Sequence, residues 1–354
     1  MELDRRGFAA TMGATVMAAV AAPVRAAGKA LAAAPFDPVP FVHPDLRPLV
    51  VPILKATGGP SVSTATLAKA RQNMLLFAPP ILPDVTWTQK TVPGKPGQPD
   101  VVVYVINAGR KASPRPAILH IHGGGYILGS ARNGIGDLQK IARDLDCVAV
   151  TVEYRLAPET PFPGALDDTY AGLTWLHANA AELGVDPARI AVMGESAGGG
   201  HAAMLAIAAR DRRQVPVAFQ CLICPMLDDR TGSTVHKPPQ QGAIIWTPDS
   251  NRFGWTSLLG VPAGSARVPQ GSVPARVADL SGLPPTFIAV GSIDLFVDEN
   301  IDYARRLANA GVLTELAMMP GGFHGFERFD TAPMVKRYKQ HFLAALRQGL
   351  GIAA

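Results

Sequence analysis

Val192-Met193-Gly194-Glu195-Ser196-Ala197-Gly198 is the stretch on which the reading of this chain turns. Before it, Arg189-Ile190-Ala191-Val192-Met193 is a short apolar run suited to a buried strand. After it, residues 197–209 are rich in Ala and Gly, carry Met204, Leu205 and Ile207, and suit a buried helix. A serine between such a strand and helix sits on a sharp turn that exposes its hydroxyl, and the flanking glycines tolerate that backbone. The helix that follows points its N-terminus at negative charge forming beside the serine.

A serine hydroxyl becomes a nucleophile only when a base takes its proton, and the base needs a third group to fix its tautomer. Thr286-Phe287-Ile288-Ala289-Val290 is a β-type run followed by Gly291-Ser292-Ile293-Asp294. Residues 313–319 read as the next strand, with Pro320-Gly321-Gly322-Phe323-His324-Gly325-Phe326 as the loop after it. Asp294 and His324 are therefore the expected acid and base. One helix, 300–310, and one strand fill the interval between them, as a right-handed crossover requires. Asp298 and Glu299 lie a helical turn beyond Asp294, but Asp294 directly ends the strand and loop and is the assignment made. Upstream, the apolar run Ala117-Ile118-Leu119 leads into His120-Ile121-His122-Gly123-Gly124-Gly125-Tyr126. Three glycines in a row let backbone N–H groups turn inward onto a substrate oxygen. The expected donors are the amides of Gly124, Gly125 and Ala197.

With these residues in view, the chain resembles the hormone-sensitive lipase family of α/β-hydrolases, in its bacterial carboxylesterase branch, over most of residues 40–350. The strongest pieces are His122-Gly123-Gly124-Gly125, Tyr154-Arg155-Leu156-Ala157-Pro158-Glu159 with Pro161-Phe162-Pro163, the serine turn, Asp294 with Asp298-Glu299, and His324-Gly325-Phe326. The resemblance implies Ser196 as nucleophile, His324 as general acid and base, Asp294 as its orienting carboxylate, and Gly124, Gly125 and Ala197 as the oxyanion hole. It implies a small-molecule ester as substrate, with no metal or organic cofactor. Two positions depart from the pattern: Glu195 stands where the branch often has Asp, and Ala317-Met318-Met319 where relatives often carry a His and an aromatic residue.

At 354 residues the chain has room for one α/β domain plus a cap and a leader, and 48% hydrophobic content supports a large core. Strands alternating with helical patterns predict an α/β-hydrolase fold: a mostly parallel central sheet, helices on both faces and a helical cap. We expect a cap segment at 36–84, a catalytic domain at 85–354 and a second cap piece at 226–265, where Pro238-Pro239, Trp246, Phe253 and Trp255 break the alternation. The net charge of +5 forms no basic stripe interleaved with aromatics, so nucleic acid is not an expected partner.

Residues 1–27 read as an export leader. Asp4-Arg5-Arg6-Gly7-Phe8 resembles a twin-arginine motif, a short Ala-rich apolar run follows, and Val24-Arg25-Ala26 ends in a small residue suited to cleavage after Ala26 or Ala27. The run is too short and Ala/Gly-rich for a stable membrane anchor, so the expected location is periplasmic or secreted. Cys221-Leu222-Ile223-Cys224 has redox or metal spacing but lies in an apolar run, 219–225. On a strand, residues three apart face opposite ways, so inert buried thiols are expected. Tyr154, Arg155, Glu159, Asp167 and Asp168 are expected to form one ion-pair and hydrogen-bond network behind the site.

The leading functional expectation is a serine carboxylesterase acting through an acyl-enzyme on short- to medium-chain uncharged esters. The same machinery serves amides, lactones and acyl transfer, which stay open here. A small-molecule receptor on a dead hydrolase scaffold would need a lost triad member, and all three are present. The sequence leaves the oligomeric state open.

Overall fold

In the computed structural model, which describes residues 36–57, 61–74 and 78–353, side-chain alternation along the strands divides the core into two layers. Strand β1 (Trp87–Val92) and β2 (Val101–Ile106) form an antiparallel pair, and β2 pairs antiparallel with β4 (Val148–Glu153). From there the sheet is parallel through β3 (Arg115–Ile121), β5 (Val185–Glu195), β6 (Phe219–Ile223), β7 (Thr286–Gly291) and β8 (Thr314–Met319). The order is β1-β2-β4-β3-β5-β6-β7-β8.

Residues of opposite parity serve opposite layers, as a two-residue repeat demands. Val103, Val105, Leu119, Ile121, Val150, Val192, Leu222 and Ile288 join one core cluster. Tyr104, Ile106, Ile118, Ala149, Ala191, Met193, Cys221 and Phe287 join the other. The first is covered by α4 (Gly164–Ala178), α6 (Ala197–Arg212) and α8 (Val297–Asn309). The second is covered by α1 (Arg47–Thr57), α3 (Ile135–Asp144) and α9 (Pro333–Gly349). Each large aliphatic side chain so buried contributes about 1.5–3 kcal/mol. Among the described residues the remaining α-helices are α2 (Leu67–Met74), the short α5 (Ala180–Leu183) and α7 (Pro248–Leu259).

The segment 36–84 divides in two. Val42, Leu46 and Val50 belong to the α3/α9 layer, and the His43 amide donates to Gly321 O at 3.0 Å, on the loop that carries His324. Residues 61–74 instead meet α7 and the loop after the glycines. The Val62 amide donates to Ser250 Oγ at 3.0 Å, and Arg71 grips the Glu159 carboxylate and the Ile127 and Ala157 carbonyls.

Two sequence expectations need revision. Cys221 and Cys224 are free and buried as expected, but they lie in the same layer rather than on opposite faces. The strand ends at Ile223 and Cys224 adopts φ 37°, so the opposite-face rule does not extend to it. The expected polar network separates into distinct pairs: Arg155 with Asp168, Lys95 with Asp167, and Arg71 with Glu159, while the Tyr154 hydroxyl donates to His122 O. The leader at 1–27 lies outside the described residues. No helix among the described residues is long and apolar enough to cross a membrane.

Candidate active site

Ser196 stands between β5 and α6 with φ 56° and ψ −122°, outside both strand and helix geometry. Such a conformation is strained by about 1–3 kcal/mol and needs its surroundings to enforce it. They do so through the main chain. The Ser196 amide donates to Ile223 O at 2.8 Å, and its carbonyl accepts from Gly200 at 3.0 Å and Met226 at 2.9 Å. The flanking glycines are required by space as well as by the turn. A Cβ at Gly194 would come 2.3 Å from Gly198 O, and one at Gly198 would come 2.0 Å from Ile121 O.

His324 arrives on the loop after β8 and Asp294 on the loop after β7, and the structure brings both to Ser196. His324 Nδ1 lies 2.9 Å from Asp294 Oδ2, and Nε2 lies 2.9 Å from Ser196 Oγ. A carboxylate accepts only, so Nδ1 carries the proton and Nε2 offers a lone pair to the serine hydroxyl. The other Asp294 oxygen accepts from the Phe296 amide at 2.9 Å, and the Phe296 ring stands edge-on to the imidazole at 5.1 Å. Asp294 is 1% exposed and Ser196 8%, so the carboxylate and the serine are both buried. Burial alone would lower the His324 pKa, but the charge and hydrogen bond of Asp294, aided by Glu327, win and hold it above the ordinary 6.5.

Gly124 and Gly125 take φ 132° and 60°, backbone that side chains resist. A Cβ at Gly124 would meet Leu128 O at 2.1 Å, and one at Gly125 would meet the Trp246 ring at 2.1 Å. The loop is folded by the Ile127 and Leu128 amides, which donate to Gly124 O at 3.1 and 2.8 Å. Gly123 presses on the serine turn, where a Cβ would fall 3.4 Å from that of Ser196. Ala197 opens α6, so its N–H has no intrahelical acceptor. Among the described residues, no backbone or side-chain acceptor takes the amides of Gly124, Gly125 or Ala197.

His122 shapes this loop from behind. Its Nδ1 donates to Gly123 O at 2.9 Å and its ring stacks on Tyr154 at 4.2 Å. Burial pushes its pKa down to about 4, so it is neutral. His201, also buried, is pushed to about 3. Of the competing acids, Asp298 pairs with Lys237, while Glu299 is buried and accepts from the Leu227 amide and the Thr231 hydroxyl. Neither serves His324.

Several neighbours escaped the sequence reading. The Glu195 carboxylate meets His120 Nε2 at 3.0 Å, and His120 Nδ1 meets Thr151 Oγ1 at 2.8 Å. The Cys224 sulfur lies within 4.8 Å of ligand-capable atoms of Asp294 and His324. Burial pushes that thiol well up, so it is a neutral neighbour with low reactivity. Among the aromatic residues nearby, Trp255, Phe323 and Phe326 are fully buried in the core, whereas Trp246 lies directly on the glycine loop. A surface hollow lined by Lys111, Arg115, Asp146 and Arg189 opens at the opposite end of β3.

Comparison with known proteins places the same features in a family context. A family model described as alpha/beta hydrolase fold matches residues 118–328, which include every residue of the constellation. The carboxylesterase NlhH of Mycobacterium tuberculosis is 34% identical over 317 residues, covering 87% of this chain and 97% of that protein. An ethyl acetate hydrolase of Pseudomonas putida is 32% identical over 227 residues, 61% of this chain and 67% of that protein. The solved structure of a bacterial heroin esterase shares the fold with a TM-score of 0.80 at 38% identity, covering 89% of this chain and 99% of that one.

Proposed function

The chain belongs to the hormone-sensitive-lipase-like branch of the α/β-hydrolase fold family and is a carboxylic ester hydrolase, and from that premise we propose that it works as a serine esterase through an acyl-enzyme. The observation that carries the proposal is the unbroken relay from Asp294 through His324 to Ser196, with 2.9 Å at each step. Ser196 Oγ attacks the ester carbonyl while His324 Nε2 takes its proton. The amides of Gly124, Gly125 and Ala197 receive the oxyanion, and removal of one such donor typically costs about 10²–10³ in turnover. The imidazolium then protonates the departing alkoxide, and the alcohol leaves. Water, deprotonated by the same nitrogen, attacks the acyl-enzyme and releases the acid. Asp294 stays ionised throughout and stabilises the imidazolium.

The substrate reading is a short- to medium-chain, uncharged ester. It is supported by the Trp246 indole, which lies on Gly125 and is held there by Nε1–H donating to Asn251 Oδ1 at 3.1 Å. Phe296, next to Asp294, is fully buried and packs its ring edge-on against His324, which keeps the surroundings of the base apolar. Residues 1–27 are proposed to direct export to the periplasm or beyond, which the N-terminal residue of exported protein checks: Ala27 or Gly28 is expected, and Met1 contradicts it. The test of the esterase reading is hydrolysis of p-nitrophenyl esters from acetate to laurate by the wild type and by Ser196→Ala. Activity peaking at a short to medium acyl chain, and lost by at least about 10⁴-fold in the variant, is expected. A folded wild type inert on every ester would overturn it.

A further inference from the structure

Tyr126 breaks the local rules of its loop. It follows Gly124 and Gly125 and itself takes φ 70°, a conformation that strains a bulky side chain and that glycine would adopt freely. The tyrosine side chain must therefore supply something that holds it there. Its hydroxyl donates to Met226 O at 2.7 Å, and the Met226 amide donates to Ser196 O at 2.9 Å. The phenol crosses α6 where the helix has no side chain, since a Cβ at Gly200 would come within 2.3 Å of the hydroxyl oxygen. Its ring packs edge-on against His201 at 4.7 Å and Trp255 at 4.8 Å. Its own carbonyl accepts from the Ala157 amide at 3.0 Å.

The oxyanion donors come from two separate pieces of chain, the glycine loop and the first turn of α6. Nothing in either piece alone fixes the distance between them. We propose that Tyr126 is the positioning residue that sets this distance, a strut from the glycine loop across α6 to the main chain that holds the nucleophile. The inference rests on the esterase reading above. An oxyanion hole works only when its donors lie at hydrogen-bond distance from the developing charge, and a displacement of about 1 Å costs on the order of 10²-fold.

Tyr126→Phe keeps the ring and removes the strut's hydrogen bond. With p-nitrophenyl acetate, kcat is expected to fall about 10–100-fold with KM unchanged within about twofold. Affinity for an alkyl trifluoromethyl ketone, which forms a tetrahedral adduct with the serine, falls by the same factor as kcat/KM. Tyr154→Phe, which removes a hydroxyl donating to His122 O behind the same loop, is measured beside it for comparison, together with thermal melts of each protein. A Tyr126→Phe enzyme that melts lower but keeps wild-type kcat and ketone affinity overturns the proposal, because a purely structural role predicts that pattern. A fall in kcat with unchanged ketone affinity overturns it equally. Wild type and Ser196→Ala run alongside, so the two failures are distinct: a wild type inert on every ester overturns the esterase reading and the strut with it, whereas an active wild type beside an equally active Tyr126→Phe overturns the strut alone.

Discussion

His324 is the residue at which opposing electrostatic demands meet. Burial disfavours the imidazolium, Asp294 at 2.9 Å favours it, and the balance lies above the ordinary value of 6.5. The neutral ring is the form that accepts the Ser196 proton, so kcat/KM rises as pH climbs through a value above 6.5. The stability term has the opposite sign: with the folded pKa raised, His324 stabilises the fold below 6.5 and this contribution is lost as pH climbs through the folded value. A pH–rate profile on p-nitrophenyl acetate checks the kinetic limb, and a wild-type limb at or below the ordinary value contradicts the account. Asp294→Asn should move that limb down and lower kcat by about 10⁴-fold, since the wrong tautomer is then available to the serine. Ser196, Asp294 and His324 were legible in the sequence because each follows a recognisable strand directly. Tyr126, Cys224 and the Glu195–His120 pair were not, because their roles depend on contacts across distant turns that no local pattern records.

The elements divide along the same line. Strands β3, β5, β6 and β7 stood out as apolar runs because the sheet is covered on both faces there, and the two layers show it in alternate residues. The connection between β6 and α7 was legible only as a break in pattern, yet it supplies a wall of the site. Within it, Ile245 has φ 67° and its Cδ1 would lie 3.6 Å from a Cβ at Gly325, beside His324, while Trp246 covers Gly125. Two consecutive residues thus reach the base side and the anion side of the reaction centre. A β-branched residue in that backbone region is strained, and Trp246, through Asn251 to the Thr231 carbonyl at 2.7 Å, helps to hold it. Trp246→Ala is expected to shift the p-nitrophenyl ester preference toward longer acyl chains and to raise KM for acetate several-fold, with a loss of stability of about 3–5 kcal/mol from the emptied volume. An unchanged chain-length profile would show that this wall faces away from the acyl group.

Across the whole molecule, one sheet presents its parallel strands so that β5, β7 and β8 deliver nucleophile, acid and base to the same end, with the β3 loop and the first turn of α6 bringing the anion donors. The order of these pieces along the chain was readable because each is a strand followed by a loop. The division of segment 36–84 between two packing environments was not, since Leu46 and Leu67 look alike in sequence and only the folded sheet assigns them to different layers. The central claim, that this architecture exists to make Ser196 a nucleophile, is tested most directly by covalent trapping. The wild type is treated with stoichiometric diethyl p-nitrophenyl phosphate, and the adduct is mapped by peptide mass spectrometry. The account predicts one diethylphosphoryl group on Ser196, with esterase activity lost in proportion and no labelling of Ser196→Ala. Label on another residue with Ser196 unmodified, or a Ser196→Ala protein that labels and hydrolyses like the wild type, would contradict it.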